Sequence, residues 1–410
     1  MTQAAAPTQP VRTIPSHVPP ELVVDLDFYS LPNGEVDPHT AWLAFTEAAK
    51  GKGPLVWSPY SGGHWVATVP ADIARFQRDN KNFGSSINTV PDRGGPRLVP
   101  LEAEPPDHAP YRNNVIPFFT GKMLRDLEPR VRALAIQLIE GLQPKGECNF
   151  IHDFALQYPV TIVLQILGLP IEDGVKLNEI TDRLARHPDA AEKGRAYQEM
   201  VTYLDSHIRD RMEHPRDDAI TAITRAQIHG RPYTHDEMLS TVTLLTFGGV
   251  DSVAMHLSFI ALYLARHPEQ RAYVRAHLDN LDHVAVEFAR RFPIANMMRR
   301  LNNDYVHEGV TMKAGDMVSI AAPLYNLNEA VFPHASEVDF ARPGHQTHLT
   351  FGSGPHTCVG AALARMEIVI FLQEWLKRIP DFEVKTDKPV LLRASATTAI
   401  DQLWLQWPVK

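Results

Sequence analysis

The chain has 410 residues, with Lys+Arg 40 against Asp+Glu 48 and a net charge of -8. That acidic balance argues against non-specific nucleic-acid binding, and the apolar fraction of 44% suits an ordinary globular core. Two cysteines, Cys148 and Cys358, exclude a disulfide framework and imply a reducing compartment, so a cytoplasmic location is expected.

Residues 1–20, rich in Ala, Thr, Gln and Pro, read as a flexible N-terminal arm. They have neither a basic n-region nor an apolar h-region, so they are not read as a signal peptide. Residues 1–40 as a whole read as coil with short turns. Ala41 to Lys50 predicts a helix. Pro54–Trp57 and Trp65–Val69 alternate like two strands of a small sheet. From about Pro105 to Arg290 the pattern is mostly helical, with helices predicted at Met123–Leu142, Pro159–Leu167, Ala190–His207 and Thr234–Arg266. Strands return at Val306–Val310 and Asp316–Ile320, then at Phe382–Val384 and Leu403–Trp407. This distribution predicts a mainly α (α+β) fold with small peripheral sheets, not alternating βαβ units. No Ser/Gly linker divides the chain, so 1–410 reads as one domain.

Thr234-x-x-Glu237 is a capping-box signature, and Pro268 closes the helical pattern just past Arg266 and His267. A helix of roughly 32 residues would span about 48 Å. It is apolar nearly all round, which places it in the core. Gly248-Gly249 in its middle costs roughly 1 kcal/mol per glycine against Ala. Asp251, in an apolar run, needs a partner. Met238 to Ala265 is the segment nearest to a membrane span. Asp251 and His256 at mid-span favour a buried core helix instead, and no membrane association is expected.

Phe351 to Gly360 reads Phe-Gly-Ser-Gly-Pro-His-Thr-Cys-Val-Gly, and a helix-forming run follows from Ala361 to Ile368. The glycines permit tight turns and close approach of the backbone to something flat. A helix N-terminus favours a thiolate over a thiol. Such a sulfur suits a soft, positively charged partner, and haem iron is one. A buried structural cysteine after a turn is the competing reading; the rarity of Phe-x-x-Gly-x-x-x-Cys-x-Gly weighs against it. Upstream, His108 and Arg112 stand one helical turn apart and suit carboxylate ligands. Glu287 and Arg290 form an i, i+3 pair of a kind common on helix surfaces.

The Cys358 loop resembles the cysteine-ligand loop of the cytochrome P-450 superfamily of haem-thiolate monooxygenases. The similarity runs over nearly the whole chain. His17–Val23, Gly62–Trp65, Cys148–Phe150, Gly248–Asp251 and Ile379–Phe382 resemble soluble bacterial members of the camphor-monooxygenase type.

The resemblance implies a single helix-rich cytochrome P-450 fold. It also implies heme b (iron protoporphyrin IX) with Cys358 as axial thiolate, and dioxygen as co-substrate. His108, Arg112, Arg299 and His356 match haem-propionate contacts. Gly248, Asp251 and Ser252 match the oxygen-activating segment, which in the family is a widened turn with a freed carbonyl. Ser252 replaces the usual Thr; it keeps the hydroxyl but lacks the methyl that stiffens the rotamer. A hydroxyl bonded back to its own helix is the alternative for Ser252. Arg186 matches a position that pairs with Asp251. Glu287, Arg290 and Arg342 match a structural triad that holds the cysteine loop.

By position, Leu98, Leu101, Leu244, Phe247, Ala295, Ala396 and Thr397 line the family's substrate cavity. Camphor-type members hold a ketone with a Tyr, and Gly84 to Glu104 contains none. The expected substrate is a small apolar terpenoid, a monoterpene or an ionone-like norisoprenoid, held mainly by shape. Electrons are expected from a [2Fe-2S] ferredoxin fed by a separate NAD(P)H-dependent ferredoxin reductase, with Arg112 and Arg365 near the docking face of a monomer. A haem-thiolate peroxygenase or ligand sensor is the alternative. A non-haem enzyme with Cys358 as nucleophile is more remote, since papain-like signatures are absent.

Overall fold

Local capping chemistry sets the longest element. The Thr234 hydroxyl accepts from the Glu237 N–H, and the Glu237 carboxylate accepts from the Thr234 N–H. The computed structural model describes residues 12–27, 39–90, 95–187, 189–343, 347–393 and 397–409. In chain order its helices are α1 (Thr40–Ala49), α2 (Pro70–Phe76), α3 (His108–Val115), α4 (Lys122–Leu142), α5 (Gln157–Leu167) and α6 (Gly174–Arg186). There follow α7 (Ala190–Glu213), α8 (Ala219–Thr224) and the capped helix α9 (His235–Arg266). Last come α10 (Pro268–Ala276), α11 (Asp282–Arg291), α12 (Ala322–Asn326) and α13 (Ala361–Arg378).

At 32 residues, α9 has the predicted ends. It is the one described helix long and apolar enough to cross a membrane, and most of its apolar stretch is buried inside the protein. Helices α5 and α7 flank it, and α13 packs along α4. Beneath α13, Phe150, Phe154, Phe371 and Trp375 pack with ring centroids 5.1–5.7 Å apart. Each such buried ring contributes roughly 1.5–3 kcal/mol.

The sheets are small. One has five strands in the order Leu55–Ser58, His64–Ala67, Met317–Ser319, Met298–Leu301, Phe83–Gly84. All its pairings are antiparallel except that between His64–Ala67 and Met317–Ser319. The strand predicted at Val306–Val310 is instead a hairpin of Tyr305–His307 and Val310–Met312. Glu308 and Gly309, both at positive φ, turn the chain between them. A second departure lies within the helical half: Glu147–Asn149 is a strand that pairs with Trp404–Gln406. Apolar side chains form two clusters. The larger is built on the helices. The smaller joins the five-stranded sheet to α1 and α2.

His64 and His256 are fully buried, and burial pushes each down to about 4. The unfolded chain therefore takes up protons at these positions first, from about pH 6.5 downward. Their contribution is complete above that pH and is lost as pH falls. Denaturant midpoints measured from pH 8 to pH 5 should drop below about pH 6.5, and less steeply in a His64→Gln, His256→Gln double variant.

Candidate active site

The cysteine loop is fixed at both ends. The Cys358 N–H donates to Phe351 O at 2.8 Å, and the Thr357 N–H donates to Gly354 O at 3.1 Å. Gly352 and Gly354 have φ of 72° and 80°, which L side chains rarely adopt. A Cβ on Gly354 would also stand 3.1 Å from the Arg78 Cα. Arg78 itself donates to Ser353 Oγ at 2.7 Å. Gly360 is the N-cap of α13.

Cys358 is exposed, yet burial is the largest influence on its thiol and raises it. The Gly360 N–H, the Arg112 guanidinium and the Ala361 N–H oppose that rise. A low-dielectric site with fixed positive groups around the sulfur suits a thiolate that shares its charge with a soft cation.

Four further side chains converge near it. His108 and Arg112 come from α3, Arg299 from the strand Met298–Leu301, and His356 from the loop itself. The His108 and His356 rings lie 4.0 Å apart. Burial pushes His356 down to about 3, helped by Arg299, His108 and Arg112, and its Nε2 is buried without a partner. Burial also lowers Arg299 to about 10. Arg299 donates to Met298 O at 2.9 Å, and Arg112 donates to Thr357 O. Among the described residues neither guanidinium has a carboxylate in ion-pair range. Buried cations without counter-charge are costly. With the unpartnered His356, they fit a ligand bearing two carboxylates. The four positions that the sequence grouped as propionate contacts are thus brought together, and haem fits this donor set.

The expected oxygen-activating residues lie on α9. Gly248, Asp251 and Ser252 stand at i, i+3 and i+4 and share a face. Leu244 and Phe247 on the same stretch are half-buried, whereas nearly every side chain from Val253 to Ala265 is buried. The expected widened turn is not there: the helix runs unbroken through Gly248 and Gly249. The Gly248 carbonyl is not free either, because it accepts from Ser252 Oγ at 2.8 Å. Asp251 is half-buried. The side chain of Arg186, its expected partner, lies outside the described residues.

The two glycines differ in role. A Cβ on Gly249 would stand 2.4 Å from Val163 Cγ2, while one on Gly248 would meet nothing within 4 Å. Gly249→Ala is expected to destabilise by about 1–3 kcal/mol through overpacking, with rescue by Val163→Ala. Gly248→Ala should change stability by less than about 1 kcal/mol. Urea melts of the three variants check the contrast.

Of the pocket residues expected from the sequence, one pair meets directly. Ala295 and Thr397 face each other across an antiparallel bridge. Leu98 is buried and Leu101 half-buried in a turn that Ser240 of α9 holds. The Ser240 hydroxyl donates to Arg97 O at 2.7 Å and accepts from the Val99 N–H at 2.8 Å. Phe247 stacks on Tyr197 of α7, centroids 6.3 Å apart. Ala396 lies outside the described residues. Ser240 and Tyr197 were not expected from the sequence; an exposed-looking Ser and a helical Tyr carry no signal of distant partners.

Behind the cysteine loop, Glu287 receives Arg290 Nε and Nη2, both at 2.8 Å, and Arg342 Nε at 3.2 Å. All three are buried. Arg290 also donates to Asn326 O and Ala335 O at 2.8 Å. Asn326 in turn donates to Arg290 O at 3.1 Å and to Thr350 Oγ1 at 2.8 Å, just before the loop.

The sequence profile of the family described as Cytochrome P450 matches residues 185–398. "Probable cytochrome P450 127A1" of Sinorhizobium fredii is 32% identical over 408 residues, covering 96% of this chain and 97% of that one. The crystal structures of CYP101J2 and of cytochrome P450 CYP101C1 each superpose with a TM-score of 0.88 at 35% identity. Each comparison covers 97% of this chain and 100% of the other.

Proposed function

The chain belongs to the cytochrome P450 family, and we propose on that premise that it hydroxylates a small apolar, terpenoid-like substrate with electrons from a [2Fe-2S] ferredoxin. The family's cofactor is heme b with a cysteine thiolate, and its co-substrate is dioxygen. Once bound, that group supplies the chemistry of dioxygen activation and C–H oxidation. The observation that carries the reading is the sulfur of Cys358 beside two backbone N–H groups and Arg112, with Arg299, His108 and Arg112 grouped around His356.

The chain's own residues have separable tasks. Cys358 would hold the haem iron through its thiolate, a ligand that favours O–O cleavage. His108, Arg112, Arg299 and His356 would hold the two propionates. Ser252 Oγ carries a proton that it donates to Gly248 O at 2.8 Å; a hydroxyl can turn from that acceptor to another. Asp251, next to Ser252 in the sequence, would replace the proton. Leu98, Leu101, Leu244, Phe247, Ala295 and Thr397 present no charge, which supports an apolar ligand held by shape. Arg365, exposed near the start of α13, offers a cation to an acidic ferredoxin.

The CO complex of the reduced protein tests the premise. A red-shifted thiolate Soret band is expected, and its loss in Cys358→Ser. Titration with monoterpenes and norisoprenoids, read by the spin state, tests the substrate class; no response to any of them would overturn it. Turnover should require ferredoxin and NAD(P)H. Equal turnover on peroxide alone would favour a peroxygenase.

A further inference from the structure

Glu237 makes more contacts than a helix start requires. Beyond the capping box, its carboxylate accepts two bonds from Arg231, at 2.7 and 2.8 Å. It accepts another from the Tyr111 hydroxyl. Arg231 holds Glu237 down at about 2, while burial and the neighbouring carboxylate push the Tyr111 phenol up to about 12. At neutral pH the donor and the acceptor are therefore fixed. Tyr111 sits on α3 between His108 and Arg112, and Arg112 reaches Thr357 O beside Cys358.

The segment before α9 fastens α3 at two more points. Asn114 Nδ2 donates to Gln227 O at 2.9 Å and to the Tyr233 hydroxyl at 3.1 Å. His229 bonds to Asp107 at 2.9 Å. These contacts link the capped end of α9, which further along carries Asp251 and Ser252, to the helix that carries the propionate cations.

We infer that Glu237, acting through Tyr111, is a positioning residue for Arg112 and so governs how firmly the haem and the Cys358 loop are held. The inference rests on the haem-thiolate reading, which the CO spectrum of the unaltered protein tests separately. Tyr111→Phe removes only the hydroxyl that reaches Glu237 and leaves the capping box and the Arg231 pair in place. Thr234→Ala removes half of the capping box and leaves the Tyr111 bond.

The readout is the rate at which haem passes from the holoprotein to excess apomyoglobin, with the melting temperature measured beside it. Tyr111→Phe should release haem about tenfold faster, the factor that one charge-assisted hydrogen bond is worth. Thr234→Ala should lower the melting temperature without a comparable change in release. Combined with Arg112→Lys, Tyr111→Phe should add little, because both act at one guanidinium. An unchanged release rate in Tyr111→Phe, or effects of the two substitutions that multiply, would overturn the inference. Should Tyr111→Phe not accumulate as holoprotein, Glu237→Gln set against Arg231→Gln, which removes the ion pair but keeps the Tyr111 bond, carries the same test.

Discussion

Glu287→Gln should be the most destabilising single substitution outside the cysteine loop, by about 3–5 kcal/mol. The carboxylate is only 1% exposed and serves two guanidiniums, Arg290 at 0% and Arg342 at 5%. A neutral amide takes this counter-charge away from both buried guanidiniums, and Gln can accept through only one oxygen. The damage should reach the cofactor as well as the fold. Asn326 and Thr350 bond to Arg290 O and Ala289 O, so the backbone of α11 and the approach to the Cys358 loop are tied together. Urea unfolding and the haem content of the purified variant measure the two effects. A shift below about 1 kcal/mol, the scale of an exposed pair, would show that the triad is not a buried ion network.

Asp251→Asn should slow turnover by about 10²–10⁴-fold, the range of a positioned proton donor. It should leave the CO band and the substrate titration unchanged. Ser252 already has an acceptor in Gly248 O, so its hydroxyl passes on a proton only if another group returns one. Asp251 is the acid nearest along the helix. An amide can neither lose nor replace a proton at neutral pH, and KM should change little because the loss falls on the chemical step. Steady-state kinetics with a saturating electron supply separate the two parameters. A slowdown of less than threefold would remove Asp251 from the proton path.

Much of this site was legible in the sequence because its signals are local. The cysteine loop announces itself by glycine spacing. The ends of α9 are set by Thr234, Glu237 and Pro268. Glu287-x-x-Arg290 sits on one helix face and the resemblance already matches Arg342 to it; the fold adds that all three are buried. What could not be read depends on partners far away in the chain. Tyr111 meets Glu237 and Ser240 meets Arg97 across more than a hundred residues. Their residue types are ordinary for helix surfaces. The expected widening at Gly248 is absent. Beside it, Val163 fills the space that a side chain on Gly249 would need, a tertiary contact that the sequence does not announce.

The two apolar clusters have a consequence for how the protein acquires its cofactor. Arg299 stands on a strand of the sheet cluster, beside Leu301. His108, Arg112 and Cys358 belong to the helical body. A dicarboxylate group held by Arg299 together with His108 and Arg112 would bridge the two clusters and couple their stability. Resistance to unfolding should then rise with haem supply.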